Sequence, residues 1–249
     1  MITIKSKEEI KIMAEGGQIL ASVMKELEKK AKPGVSTQEL NRAAEALILK
    51  SGGKCSFKGY DGFPACLCTS VNNELVHVAP SIRILKEGDI ISLDLGVFYK
   101  GFHTDMAVTV AVGNISLEAK RLIRTTKKAL KRGLKKIHPG NTFGDIGNTV
   151  QRYIEGQGFS VVRDLCGHGI GKEVHEDPKI LNYGKRRSGP EIKEGMVICL
   201  EPMVNMGDFK IKKTEDGMGY ETADGSLSAH FEHTIVVTKL GCRLLTELK

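Results

Sequence analysis

The chain has 249 residues, 41% hydrophobic and 27% charged, a composition ordinary for a globular protein with room for a large core. No apolar run reaches the roughly 18 residues of a membrane span, and the opening Met1-Ile2-Thr3-Ile4-Lys5-Ser6-Lys7 lacks a signal peptide's apolar stretch. A cytoplasmic location without membrane attachment is therefore expected. The net charge of +7 points to an anionic partner. Six cysteines are too sparse for a disulfide scaffold, and Cys66 and Cys68 stand too close together for a structural zinc pair. Free thiols are expected.

In chain order, Ser6 and Glu9 form a capping-box signature ahead of a helical pattern over Lys7–Lys30. Lys32-Pro33-Gly34 makes a turn, and Ser36 opens a second helical run to Leu49, ended by Ser51-Gly52-Gly53. Strands follow, with Val76-His77-Val78-Ala79-Pro80 between them and β-branched runs around Asp94 and after Asp105. Gly113-Asn114-Ile115-Ser116 is a turn only. A third helix is predicted over Leu117–Ile137, its apolar positions at helical spacing and its other face basic: Lys120, Arg121, Arg124, Lys127, Lys128, Lys131, Arg132, Lys135 and Lys136. A solvated face is the favoured reading of these cations, with attraction to ribosomal RNA the sharper one. His138-Pro139-Gly140 then leads to a fourth helix, from Thr142 to Ile154, closed by Gly156-Gln157-Gly158. More strands follow, interrupted by the polar stretch 207–226.

The second half repeats the first. Glu87-Gly88-Asp89-Ile90-Ile91-Ser92-Leu93-Asp94 aligns with Glu194-Gly195-Met196-Val197-Ile198-Cys199-Leu200-Glu201, and Asp105-Met106-Ala107-Val108-Thr109-Val110 with Glu232-His233-Thr234-Ile235-Val236-Val237. Val174-His175-Glu176-Asp177-Pro178 echoes the segment around His77. The offset is 106 residues from Pro33 to Pro139 and 107 from Asp94 to Glu201, but 127 from Asp105 to Glu232. About 20 extra residues in the second half fall in the 207–226 stretch, expected as a long hairpin or loop. One domain over residues 1–249 is expected, with an internal repeat of approximately 7–113 and 117–241.

Each half thus sets two carboxylates on or beside runs that read as buried strand. A buried, unpaired carboxylate is costly, and four in matching pairs need a common partner. A pair of divalent cations supplies it. His168, stripped of neighbouring side chains by Gly167, Gly169 and Gly171, adds an imidazole. A mixed oxygen and nitrogen set suits manganese, iron, cobalt or zinc.

With Asp94, Asp105, His168, Glu201 and Glu232 in the settings L-D-L-G, H-T-D, G-H-G-I-G, E-P-M and E-H-T, the chain resembles type I methionine aminopeptidases over essentially its whole length. The resemblance implies the pita-bread α/β fold, an α+β architecture with antiparallel sheet inside and paired helices outside. It implies removal of the N-terminal methionine from nascent chains with a small second residue, by a monomer whose five matching residues hold two divalent ions. His77 would contact the substrate near its scissile amide, and His175 would bond its carbonyl oxygen. Glu201 would double as a proton shuttle. Phe57, Tyr60, Phe63 and Cys68, around G-Y-D-G-F-P, would form the side-chain pocket with Met218 at its lid. Two positions depart from the family pattern: Met218 stands where many relatives carry an aromatic, and Phe57 where bacterial relatives carry a smaller residue. Segments matched near Asn72 and Ser228 imply backbone carbonyls holding a monovalent cation. The rivals are an X-Pro aminopeptidase or dipeptidase on the same fold, a type II enzyme with a longer helical insertion, and a non-catalytic RNA- or protein-binding relative.

Overall fold

The computed structural model describes residues 2–248. Ser6 caps the first helix, α1 (Lys7–Lys30): its hydroxyl accepts the Glu9 N–H while the Glu9 carboxylate accepts the Ser6 N–H. Ser36 and Glu39 repeat the device for α2 (Thr37–Lys50). Both satisfy backbone donors that a helix start leaves unpaired. Helix α1 buries Met13, Leu20, Met24 and Leu27. It lies so close to the C-terminal chain that a Cβ at Gly17 would collide with the Leu245 carbonyl.

Strands β1 (Lys54–Cys55), β2 (Leu67–Val71) and β3 (Glu74–Val76) precede a long hairpin of β4 (Ile90–Tyr99) and β5 (Phe102–Ala111). Lys100 and Gly101 turn it, both at positive φ, as the twist of a two-residue hairpin loop requires. The other edge of β4 carries β2 along Ile91–Leu95 and β1 at Val97–Phe98. The two short strands therefore meet end to end, which brings Cys55 and Cys66 to a Cα separation of 5.2 Å, and they form a disulfide. The expectation of six free thiols is wrong for this pair. Cys68, Cys166, Cys199 and Cys242 are free.

The second half opens with α3 (Leu117–Leu134), capped by Ser116, and α4 (Phe143–Glu155), capped by Thr142 with Asp145. Helix α3 stops three residues short of the predicted Ile137, where Lys136 and Ile137 bond back into tighter turns. Strands β6 (Ser160–Val161), β7 (Gly167–Gly169), β8 (Glu176–Ile180), β9 (Val197–Leu200), β10 (Met203–Asn205), β11 (Ile211–Lys213), β12 (Tyr220–Thr222), β13 (Ser228–His230), β14 (His233–Thr238) and β15 (Gly241–Leu244) complete the chain. All pairings are antiparallel. The largest sheet runs β15-β14-β9-β7-β8, and β13-β10-β6 forms a second. The polar 207–226 stretch contains the β11–β12 hairpin, whose β12 adds β3 from the first half as a third strand.

Helix α1 packs on β4 and β5, while α3 packs on α4 and on β13, β10, β9 and β5. One hydrophobic core runs from Leu20 and Leu27 through Leu93 and Leu95 to Leu122, Val150, Leu200 and Val237. Strands β5 and β14 meet along a seam. The Thr234 hydroxyl accepts the Asp105 N–H and donates to the Asp105 carbonyl, both at 2.8 Å, and Glu232 N–H bonds the Ala107 carbonyl. No helix of the described residues is long and apolar enough to cross a membrane.

Candidate active site

Asp94 lies in β4 opposite Ala107 of β5, and Asp105 sits two residues before Ala107. Side chains two apart share a face, so the two acids are diagonal neighbours on one side of the hairpin. In the second half Leu200 pairs with His233. Glu201, just past β9, and Glu232, just before β14, thus reach the same side of their strand pair. His168 is the centre of β7, opposite Cys199. Its flanking glycines are required by packing, since a Cβ at Gly167 would strike the Cys199 carbonyl and one at Gly169 the Asp177 carbonyl.

The structure brings these five residues together. His168 Nε2 stands 3.5 Å from Glu201 Oε1 and 3.9 Å from Glu232 Oε1. Donor oxygens of Asp94, Asp105 and Glu232 all lie within 4.8 Å of one another. Every one of the four acids is buried, Asp94 at 7%, Asp105 at 4%, Glu201 at 8% and Glu232 at 2% exposure. No lysine or arginine lines the cleft among the described residues. Burial raises all four carboxyls above the ordinary range. Repulsion by neighbouring acids then pushes Asp105, Glu201 and Glu232 well above it, while His230 and a hydrogen bond with Asp105 temper Asp94. Asp94 Oδ1 and Glu232 Oε1 are buried without a partner. Buried, mutually repelling and partly unbonded acids are strongly unfavourable as a purely structural cluster. Four carboxylates and a neutral imidazole are the donor set that divalent ions satisfy.

These side chains floor a cleft of about 300 Å³. His77 and His175 both line it, with the predicted pocket residues Phe57, Tyr60, Phe63, Cys68 and Met218. His175 Nδ1 is 2.9 Å from the Tyr60 hydroxyl, and its ring meets the His168 ring edge-on at 4.5 Å. Burial lowers His175, holds His77 at about 4 and holds His168 at about 3, so all three are neutral near pH 7. His77 takes a left-handed φ of 58° where the chain leaves β3. The β11–β12 hairpin attaches to β3 beside it, Tyr220 opposite Val76, and this sets Met218 at the cleft mouth, 44% exposed. Phe57, Cys68 and Val174 form one apolar cluster flanked by Tyr60 and Phe63. Burial, with Asp94 adding to it, holds the Cys68 thiol protonated and unreactive.

A profile of metallopeptidase family M24 matches residues 11–239. The chain belongs to that family. It is 49% identical over 249 residues, the full length of both chains, to methionine aminopeptidase of Clostridium perfringens. The crystal structure of methionine aminopeptidase from Thermotoga maritima superposes with a TM-score of 0.98 at 41% identity, covering 99% of this chain and 100% of that one. Xaa-Pro dipeptidase from Bacillus anthracis superposes less closely, with a TM-score of 0.81 at 27% identity, covering 99% of this chain and 62% of that one. The mixed α/β architecture is the pita-bread fold of M24 proteins.

Several residues of this M24 cleft were not singled out in the sequence. Val76, Asp61 and Gly217 line it, and Val174 backs the apolar end. His230 is the most consequential of those passed over. It lies two residues before Glu232, the spacing that puts side chains on one strand face, and that period was the signal available. Asn72 and Ser228 sit together outside the cleft lining, Ser228 N–H bonded to the Asn72 carbonyl at 2.8 Å. The nine basic residues read from the third helix and the turn after it are all exposed.

Proposed function

We propose that this M24 metallopeptidase removes the N-terminal methionine from newly made polypeptides whose second residue is small. In this reading Asp94, Asp105, His168, Glu201 and Glu232 hold two divalent ions drawn from manganese, iron, cobalt and zinc. The observation that carries it is a single small cleft with unpaired acids at one end and an apolar wall of Phe57, Phe63, Cys68 and Val174 at the other. A flexible thioether suits that wall, and the acid end is where an amide would be cut. The similarity to methionine aminopeptidases over full length supports the same substrate.

When bound, the ions would lower the pKa of a water and polarise the scissile carbonyl. The protein's own groups do the rest. The Tyr60 hydroxyl lies 2.9 Å from His175 Nδ1; in this reading it donates to that nitrogen, which leaves the imidazole proton on Nε2 to stabilise negative charge developing on the substrate's carbonyl oxygen. Neutral His77 orients the amide from the β3 side. Glu201, held from behind by Asn182 Nδ2 on its backbone carbonyl at 2.9 Å, takes the proton of the attacking water and returns it to the leaving amine. Met218 closes the side-chain end with a flexible thioether of its own.

The same reading includes action in the cytoplasm as a monomer, ribosome contact through the exposed cations around α3, and a monovalent cation on carbonyls near Asn72 and Ser228. The Cys55–Cys66 disulfide pulls against a reducing compartment. The test is cleavage of Met-Ala-Ser against Xaa-Pro peptides after metal stripping and re-addition of each ion. Metal-restored cleavage confined to the methionine peptide is expected. Preference for Xaa-Pro would replace the substrate assignment, and absence of any cleavage with metal bound would make the chain a binding protein.

A further inference from the structure

We infer that His230 is a direct metal ligand of this centre, a second imidazole set opposite His168; the inference rests on the two-ion reading above. His230 Nε2 stands 3.5 Å from Glu201 Oε2 and 3.9 Å from Glu232 Oε2. His168 Nε2 stands at the same two distances from the Oε1 atoms of the same two acids. Each glutamate therefore turns one oxygen toward each imidazole, and two equivalent donor groups face each other across the carboxylates.

His230 is 2% exposed, yet neither ring nitrogen has a hydrogen-bond partner. A buried imidazole that is only structural normally uses at least one nitrogen, and leaving both unbonded is costly. The separations exceed ordinary N–H···O bonds. The 3.5 Å separation from Glu201 matches donors sharing an ion, because two ligands each about 2.0–2.2 Å from one ion stand roughly 3–3.6 Å apart, and Glu232 at 3.9 Å closes on the same ion with a small side-chain shift. The backbone is clamped to aim the ring. The Thr109 hydroxyl accepts the His230 N–H and donates to the His230 carbonyl, both at 2.8 Å, and also meets the Ser92 hydroxyl at 2.8 Å. Asp94 is the further acid facing the ring. A nitrogen donor on the second ion, in place of oxygen donors alone, moves that position's preference from manganese toward zinc, cobalt or iron.

The test counts bound imidazoles by X-ray absorption on the full chain loaded with two equivalents of zinc, alongside zinc titration by calorimetry and circular dichroism to verify folding. Wild type should show one imidazole per zinc, and His230→Gln and His168→Gln half of that. The second zinc should bind about 10–100-fold more weakly to His230→Gln. Half an imidazole per zinc in wild type, or an unchanged count in His230→Gln with or without weaker binding, would overturn the inference. Those results leave the two-ion reading standing. Wild type that takes up fewer than two zinc ions, or Asp105→Asn that still takes up two with unchanged affinity, would sink the two-ion reading instead.

Discussion

Asp105→Asn in the metal-free protein sets the strain of the acid cluster against its use. Asp105 faces Glu232, Asp94 and Glu201, in that order of influence after burial itself. Charges within 4.8 Å repel by about 3.5 kcal/mol a pair at an effective dielectric of about 20. Proton uptake caps the strain, because protonating one carboxyl at pH 7 costs about 4 kcal/mol relative to its ordinary value. Replacing the acid by its isosteric amide keeps an acceptor for the Met106 N–H, bonded at 2.8 Å. The metal-free variant should therefore be more stable than wild type by about 2 kcal/mol, a Tm gain of about 4–8 °C for a chain of this size. Saturating metal should reverse the order, since ions at 100 times their Kd add about 2.7 kcal/mol per site to wild type. Calorimetry with chelator and then with cobalt measures both. A metal-free variant less stable than wild type would refute the reasoning and make Asp105 structural.

The same cluster sets a pH trend. Carboxyls raised in the fold bind protons more tightly there than in the unfolded chain, so their contribution is present below the ordinary value of 4.5 and is lost as pH rises through the folded values. Above pH 4.5 metal-free protein should lose more stability with rising pH than metal-loaded protein, in which the acids stay ionised, while titration of the unfolded chain's histidines adds the same slope to both; equal slopes in chemical denaturation would contradict this. His77→Ala and His175→Ala should keep their metal, with turnover of a Met-Ala-Ser peptide down about 10²–10³-fold; metal lost in parallel would make them ligands or supports. Thr234→Val leaves the buried Asp105 N–H and carbonyl unbonded, so stability should fall by about 2–5 kcal/mol and metal affinity with it; an unchanged denaturation midpoint would show the seam is held elsewhere. Peptide mapping of thiol-blocked, unreduced protein should recover Cys55 linked to Cys66, and free thiols at both positions would remove the disulfide.

The helices were legible because their signals are local. Ser6 with Glu9 and Ser36 with Glu39 announce helix starts within four residues, and the structure forms both boxes. Asp94 and Asp105 stood out as acids in apolar strand runs, and the repeat drew attention to Glu201 and Glu232. The disulfide was hidden because it depends on β1 and β2 sharing one edge of β4, a non-local pairing with no local pattern. His230 was hidden for another reason. A histidine two residues from a buried acid has a bland explanation as a satisfied core side chain, and only the two unbonded nitrogens in the fold remove that explanation.

The acids gather at the seam for a reason that joins fold and chemistry. Strand pairs β4–β5 and β9–β14 each carry two carboxylates on one side, and neither pair alone surrounds an ion. Where β5 meets β13 and β14, two threonines reach across. Thr234 binds the backbone of Asp105, and Thr109 binds the backbone of His230. Each clamp fixes a side chain of the opposite half to the precision a ligand set needs, and it does so with buried neutral hydroxyls that add no charge to an overcharged site. Clamps of this kind hold the carboxylates in place against their repulsion before any cation arrives. The rigid seam therefore positions the site, and the ions offset the charge it concentrates.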